Sequence, residues 1–90
     1  MIQRKDGGKT IVATEAEIRE EASKARRLQI AVDLAMSTLR QSDIPVEEAA
    51  ELVASTRRYA LSLFPDKERT FDLIYRPRFQ RVLAEKYKII

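Results

Sequence analysis

The sequence predicts an all-α fold: an antiparallel bundle of three helices with a kink or short fourth helix near Pro77, preceded by a short arm or hairpin. Three observations carry this. Between Lys9 and Ile90 there is no glycine, so the chain is built almost wholly from residues that tolerate helix. Apolar residues recur every three or four positions in three long tracts, the period of one helix face. The tracts are divided by Pro45 and Pro65, which a helix interior does not accommodate.

Residues 1–13 read as a flexible arm or a short hairpin. Asp6-Gly7-Gly8 is a turn signal, with Ile2 before it and Ile11 and Val12 after it. A lone two-stranded ribbon is marginally stable, so a hairpin here would need a surface to lie on. Residues 14–90 are expected to form one helical domain, as suits a chain of 90 residues. The first helix is predicted over about 15–41. Thr14 is a good N-cap, and Glu17 three residues later completes a capping box. Glu15, Glu17, Glu20 and Glu21 sit where the helix dipole favours negative charge. Glu15 with Arg19 and Glu20 with Lys24 are spaced for ion pairs along the helix.

Pro45 fits the first turn of a second helix, predicted to about Phe64, with Val46, Ala49, Ala50, Val53, Ala60, Leu63 and Phe64 on its apolar face. Pro65 marks its end, because the residue before a proline is biased away from helix, and Asp66 is placed to cap the next helix. This third helix is expected from about Lys67, showing Phe71, Ile74 and Tyr75 on one side. At Pro77 it either kinks, or ends at Tyr75 and a last helix begins; Phe79, Val82 and Leu83 continue the apolar line to about Tyr87.

Helix 1 carries a seam of Ile18, Ala22, Ala25, Leu28, Val32, Ala35 and Leu39, with Ile30, Leu34 and Met36 off it. So wide an apolar arc implies burial on more than one side, by other helices of the chain or by another subunit. At about 27 residues this helix would span roughly 40 Å, against roughly 30 Å for helix 2. The overhang and the wide arc predict a homodimer, with a seam of Leu28, Val32, Ala35, Met36 and Leu39.

Composition excludes several kinds of chemistry. With no His, Cys or Trp there is no imidazole base, no thiol nucleophile, no disulfide and no soft metal ligand. The carboxylate pairs Glu17/Glu21 and Glu47/Glu51 each share a helix face, but acidic first turns facing water account for them. Serine nucleophiles without His need a Lys base, yet Arg26, Arg40 and Arg58 stand three residues after Ser23, Ser37 and Ser55. Arg does not act as a base at ordinary pH. The expectation is therefore a non-enzymatic protein without metal, cofactor or small-molecule substrate. No apolar run approaches the roughly 20 residues of a membrane helix, and residues 1–14 do not resemble a signal peptide, so a cytoplasmic protein away from membranes is expected.

Charge is unevenly placed. Residues 1–56 hold 8 Lys and Arg against 10 Asp and Glu, and residues 57–90 hold 9 against 4, within a net charge of +3. In the basic third, Tyr75-Arg76-Pro77-Arg78-Phe79-Gln80-Arg81 alternates rings with guanidinium groups, as nucleic-acid surfaces do, although Tyr75 and Phe79 also fit a core line. Residues 45–64, Pro-Val-Glu-Glu-Ala-Ala-Glu-Leu-Val-Ala-Ser-Thr-Arg-Arg-Tyr-Ala-Leu-Ser-Leu-Phe, resemble the helix-turn-helix segment of small bacterial regulators. The resemblance implies a first helix over 46–53, a recognition helix opened by Arg57, Arg58 and Tyr59, and core anchors at Ala60 and Leu63. It departs from the family at the turn, where Ala54 and Ser55 stand in place of glycine and an apolar residue; an unbroken helix is the simpler expectation there. Two functions are compatible with the sequence. The first is a helical protein-interaction and oligomerisation module. The alternative is a small DNA-binding regulator using Arg57, Arg58, Arg76, Arg78 and Arg81.

Overall fold

The computed structural model describes residues 14–88, and the arm or hairpin expected at 1–13 lies outside them. Among the described residues the fold is all-helical, with four helices: α1 (Glu15–Gln41), α2 (Val46–Leu63), α3 (Glu68–Ile74) and α4 (Arg76–Tyr87). Each boundary has a local cause. At the start of α1 the Glu17 amide donates to Thr14 Oγ1 at 3.1 Å, and the Thr14 amide donates to Glu17 Oε1 at 2.8 Å. This is the reciprocal capping box the sequence predicts. The i,i+4 pairs Glu15/Arg19 and Glu20/Lys24 do not close into salt bridges among the described residues. Exposed long side chains gain little from such contacts and lose rotamer freedom in making them.

Pro45 is the N-cap of α2 rather than its first helical residue, with extended backbone (φ −63°, ψ 155°), and its carbonyl accepts from the Glu48 and Ala49 amides at 3.0 Å. Asp66 does not cap α3: the cap position falls on Lys67, with no side-chain hydrogen bond. Of the two outcomes open at Pro77, the chain takes the second. α3 ends at Ile74, Tyr75 lies between, and α4 begins at Arg76 with Pro77 in its first turn, where a missing N–H costs nothing. The Phe79 amide then bonds the Tyr75 carbonyl at 3.0 Å.

The core is made by Val32, Ala35, Met36 and Leu39 of α1, Ala49 and Ala60 of α2, Phe71 of α3, and Phe79 and Val82 of α4. Phe79, Leu39 and Val32 are its largest fully enclosed side chains. The small Ala49 and Ala60 let α2 approach, as the apolar spacing predicts. α1 packs against α2 and α4, and α3 touches α2 and α4. At one end, the Tyr87 hydroxyl donates to the Ile44 carbonyl at 2.7 Å and Lys86 Nζ donates to the Ser42 carbonyl, tying the end of α4 to the α1–α2 turn. Burial pushes the Tyr87 phenol above its ordinary value, and the nearby Asp43 and Glu48 carboxylates add to this.

Candidate interaction surface

The seam residues fall into two groups by what covers them. Val32, Ala35, Met36 and Leu39, expected at a subunit interface, are buried by the helices of their own chain. Leu28 is half-buried and packs at the edge of the same core. This corrects the sequence-derived seam. Periodicity identifies the side of a helix that is covered but not the molecule that covers it, and the short α4 fills the space assigned to a second subunit.

The uncovered part of α1 lies further toward its N-terminus. Among the described residues, none before Leu28 belongs to the core or packs against it. The segment 15–27 therefore projects as a free helix of roughly 20 Å, consistent with an elongated molecule of 56 × 22 × 18 Å. Its apolar stripe, Ile18, Ala22 and Ala25, continues the line of Val32 and Leu39 and is exposed, Ile18 to 58%. Ile30 and Leu34, on another side of α1, are also exposed.

Where the free helix leaves the body there is an apolar groove of about 240 Å³, lined by Leu28, Leu61, Phe64, Phe71, Ile74 and Tyr75, with Lys67 and Thr70 among its polar residues. Ile74 and its neighbour Leu73 are exposed, unlike Phe71 on the same helix. The tilted stack of Phe71 on Tyr75, with centroids 5.2 Å apart, stiffens the groove wall.

The arginines expected to read nucleic acid divide similarly. α2 runs unbroken through 54–56, with the Thr56 hydroxyl donating to the Leu52 carbonyl at 2.8 Å, so the turn implied by the helix-turn-helix resemblance is absent. Ala54 and Ser55 offer no left-handed position at which to break a helix. Arg57 is half-buried and clamped: its Nε donates to Asp72 Oδ1 at 2.9 Å and its Nη2 to Glu68 Oε2 at 2.6 Å. These hydrogen bonds raise the guanidinium pKa further and, chiefly through the bond from Arg57, hold the Asp72 carboxyl below its ordinary value. Arg58 pairs with Glu51 at 2.6 Å on the surface. Arg76, Arg78 and Arg81 are exposed and make no salt bridge among the described residues; Arg78 lies over the Tyr75 ring, 5.6 Å from its centre.

The candidate catalytic groups are placed apart or occupied. Glu17 belongs to the capping box, Glu51 pairs with Arg58, and Glu21 and Glu47 face water. The Ser55 and Ser62 hydroxyls donate to the Glu51 and Tyr59 carbonyls. Among the described residues, no group of acidic side chains is arranged to hold a metal ion, and no helix is long and apolar enough to cross a membrane.

Sequence reasoning missed the Arg57–Glu68–Asp72 clamp and the groove. The only signal for the clamp was the acidic pair Glu68/Asp72, four residues apart on one short helix. The groove depends on the angle between α2 and α3, which no local pattern encodes. No protein-family model, curated protein or solved structure matches the chain.

Proposed function

We propose that this protein is a non-enzymatic interaction module, a small antiparallel helical bundle that presents the projecting N-terminal half of α1 and the groove beside it. The observation carrying this reading is the continuation of the core-facing stripe beyond the core: Ile18, Ala22 and Ala25 stay exposed, with no other helix over them among the described residues. Free helices of this length are marginal in water, and most helical stability in proteins comes from packing an apolar face. A contiguous uncovered stripe next to an apolar groove is the signature of a binding surface. The antiparallel arrangement is supported by the tie of Tyr87 to Ile44 at one end and by the meeting of Leu28 with Phe64 at the groove. Absence of catalysis is supported by the side-chain inventory, with neither His nor Cys.

Site-specific photo-crosslinking tests the reading. A photoreactive residue at position 22, on the stripe, is expected to give an adduct of discrete mass in the cells the protein comes from. The same residue at position 85, on the exposed side of α4, serves as the control. No adduct at 22, or equal adducts at both positions, would overturn the proposal.

A second reading, a nucleic-acid contact through Arg76, Arg78 and Arg81, is supported by their exposure. It gives up Arg57 and Arg58 as the reading residues, since both are engaged by carboxylates. Fluorescence anisotropy of a mixed-sequence duplex at about 50 mM and about 200 mM salt tests it. Binding through phosphates weakens steeply between the two.

A further inference from the structure

We infer that the projecting half of α1 docks on a second copy of this chain, antiparallel, with the crossing near Ser23. The inference rests on the interaction-module reading and names the partner for that surface. Three observations combine. First, stripe and groove adjoin at Leu28, the α1 residue that lines the groove: Ile18 and Leu28 are equidistant from Ser23, so a two-fold axis there sets Ile18 of each copy beside the groove at Leu28 of the other. Such an arrangement is self-complementary and closed, as a two-fold interface requires, and leaves no unpaired end for further addition.

Second, charge is segregated about the same point. Residues 15–21 carry Glu15, Glu17, Glu20 and Glu21 against the single Arg19, a net −3, and residues 24–27 carry Lys24, Arg26 and Arg27, a net +3. An antiparallel crossing at Ser23 sets residues 19–22 level with 24–27 of the other copy, which brings Glu20 and Glu21 beside Lys24 and Arg26. A parallel pair would set like on like, which costs affinity and steers encounters away from it. Lys67, at the groove, adds positive charge where the acidic N-terminal turn of the other copy arrives. Third, these charges are not neutralised by ion pairs within the chain: among the described residues no salt bridge involves residues 15–27, although Glu17 accepts from the Thr14 amide and Arg27 donates to Ser23 Oγ at 3.3 Å. The small Ala22 and Ala25 beside the crossing allow close approach of the two helices.

The absence of native cysteine makes the geometry directly measurable. The full chain is spin-labelled at a single introduced cysteine, Glu15→Cys in one sample and Lys24→Cys in another, two positions on the flanks of the stripe, and inter-label distances are read by pulsed dipolar spectroscopy. Antiparallel pairing predicts a short separation at position 24, beside the crossing, set by the roughly 8–10 Å between packed helix axes and the label arms. It predicts a further axial offset of about 24 Å at position 15, from the 1.5 Å rise per residue on each of two helices. Equal short distances at both positions would mean parallel pairing and overturn the inference. No dipolar signal at either position, with sedimentation giving the monomer mass, would overturn it too. In both cases the crosslinking experiment decides the broader reading separately. An adduct at position 22 with a different protein keeps the module and removes the self-pairing; no adduct removes both.

Discussion

The two halves of α1 should respond very unequally to the same chemical deletion. Leu39→Ala and Ile18→Ala each remove a branched aliphatic side chain from one continuous helix, but Leu39 is 0% exposed in the core and Ile18 is 58% exposed on the projecting segment. Removing a fully enclosed Leu combines lost transfer energy with a cavity among Val32, Phe79 and their neighbours, a cost of about 2–5 kcal/mol. A domain of this size holds roughly 5–10 kcal/mol in all, so Leu39→Ala should consume a large part of it. At Ile18 less than half of a side chain worth about 1.5–3 kcal/mol when fully buried is covered, and the covering atoms belong to its own helix. Alanine also returns up to about 0.5 kcal/mol of helix propensity. The expected net change is below about 1 kcal/mol. Urea unfolding followed by circular dichroism measures both, at protein concentrations where the chain sediments as a monomer. Comparable losses from the two variants would refute the reasoning, since they would place the projecting segment within the cooperative fold.

Other consequences stem from the contacts. Asp72→Asn should reduce stability at neutral pH. Because the folded carboxyl titrates below its ordinary value, the contribution it loses is present above the ordinary carboxylate range and fades as pH falls through the folded value. Thermal melts from neutral to acidic pH should therefore show a shallower acid decline in the variant; parallel curves would remove the Arg57–Asp72 linkage. Tyr87, whose folded pKa is raised, favours folding below the ordinary tyrosine range and should lose that contribution as pH rises through its folded value. Alkaline titration of a Tyr59→Phe, Tyr75→Phe double variant isolates its phenolate signal, and ionisation at or below the ordinary tyrosine value would contradict the buried tie to Ile44. Arg58→Ala should leave stability within about 0.5 kcal/mol, as expected for an exposed pair, and a larger loss by urea unfolding would contradict its surface placement.

Local signals were the legible part of this chain. Thr14 with Glu17, Pro45, Pro65 and Pro77 mark the start of α1 and the breaks between the helices, because capping hydrogen bonds and the missing proline N–H act over a single turn, while at Pro77 a kink and a break were equally open. The apolar spacing likewise identifies Val32, Ala35, Leu39, Ala49, Ala60, Phe71, Phe79 and Val82 as covered positions. Which element covers them is a tertiary question, and there the expectation of a seam at Val32, Ala35, Met36 and Leu39 gave way to burial under α2 and α4. Arg57 illustrates the same limit. Its charge invites a reading at phosphate, yet its partners Glu68 and Asp72 reach it only because the Pro65–Asp66 turn folds α3 back onto α2. The exposed stripe of Ile18, Ala22 and Ala25 was visible as part of a longer seam, but its separation from the core required knowing where α2 ends beside α1.

If the projecting half of α1 pairs with a second copy and is not part of the fold, association and folding should separate at Ile18. Sedimentation equilibrium of the full chain over a range of concentrations, beside its Ile18→Asp variant, reads this out. The expected result is a mass rising from 10.4 kDa toward twice that value for the native chain, and a variant that stays monomeric with unchanged helical content. An Ile18→Asp variant that associates as strongly as the native chain, or one that loses its helical fold, would contradict the proposed division of α1.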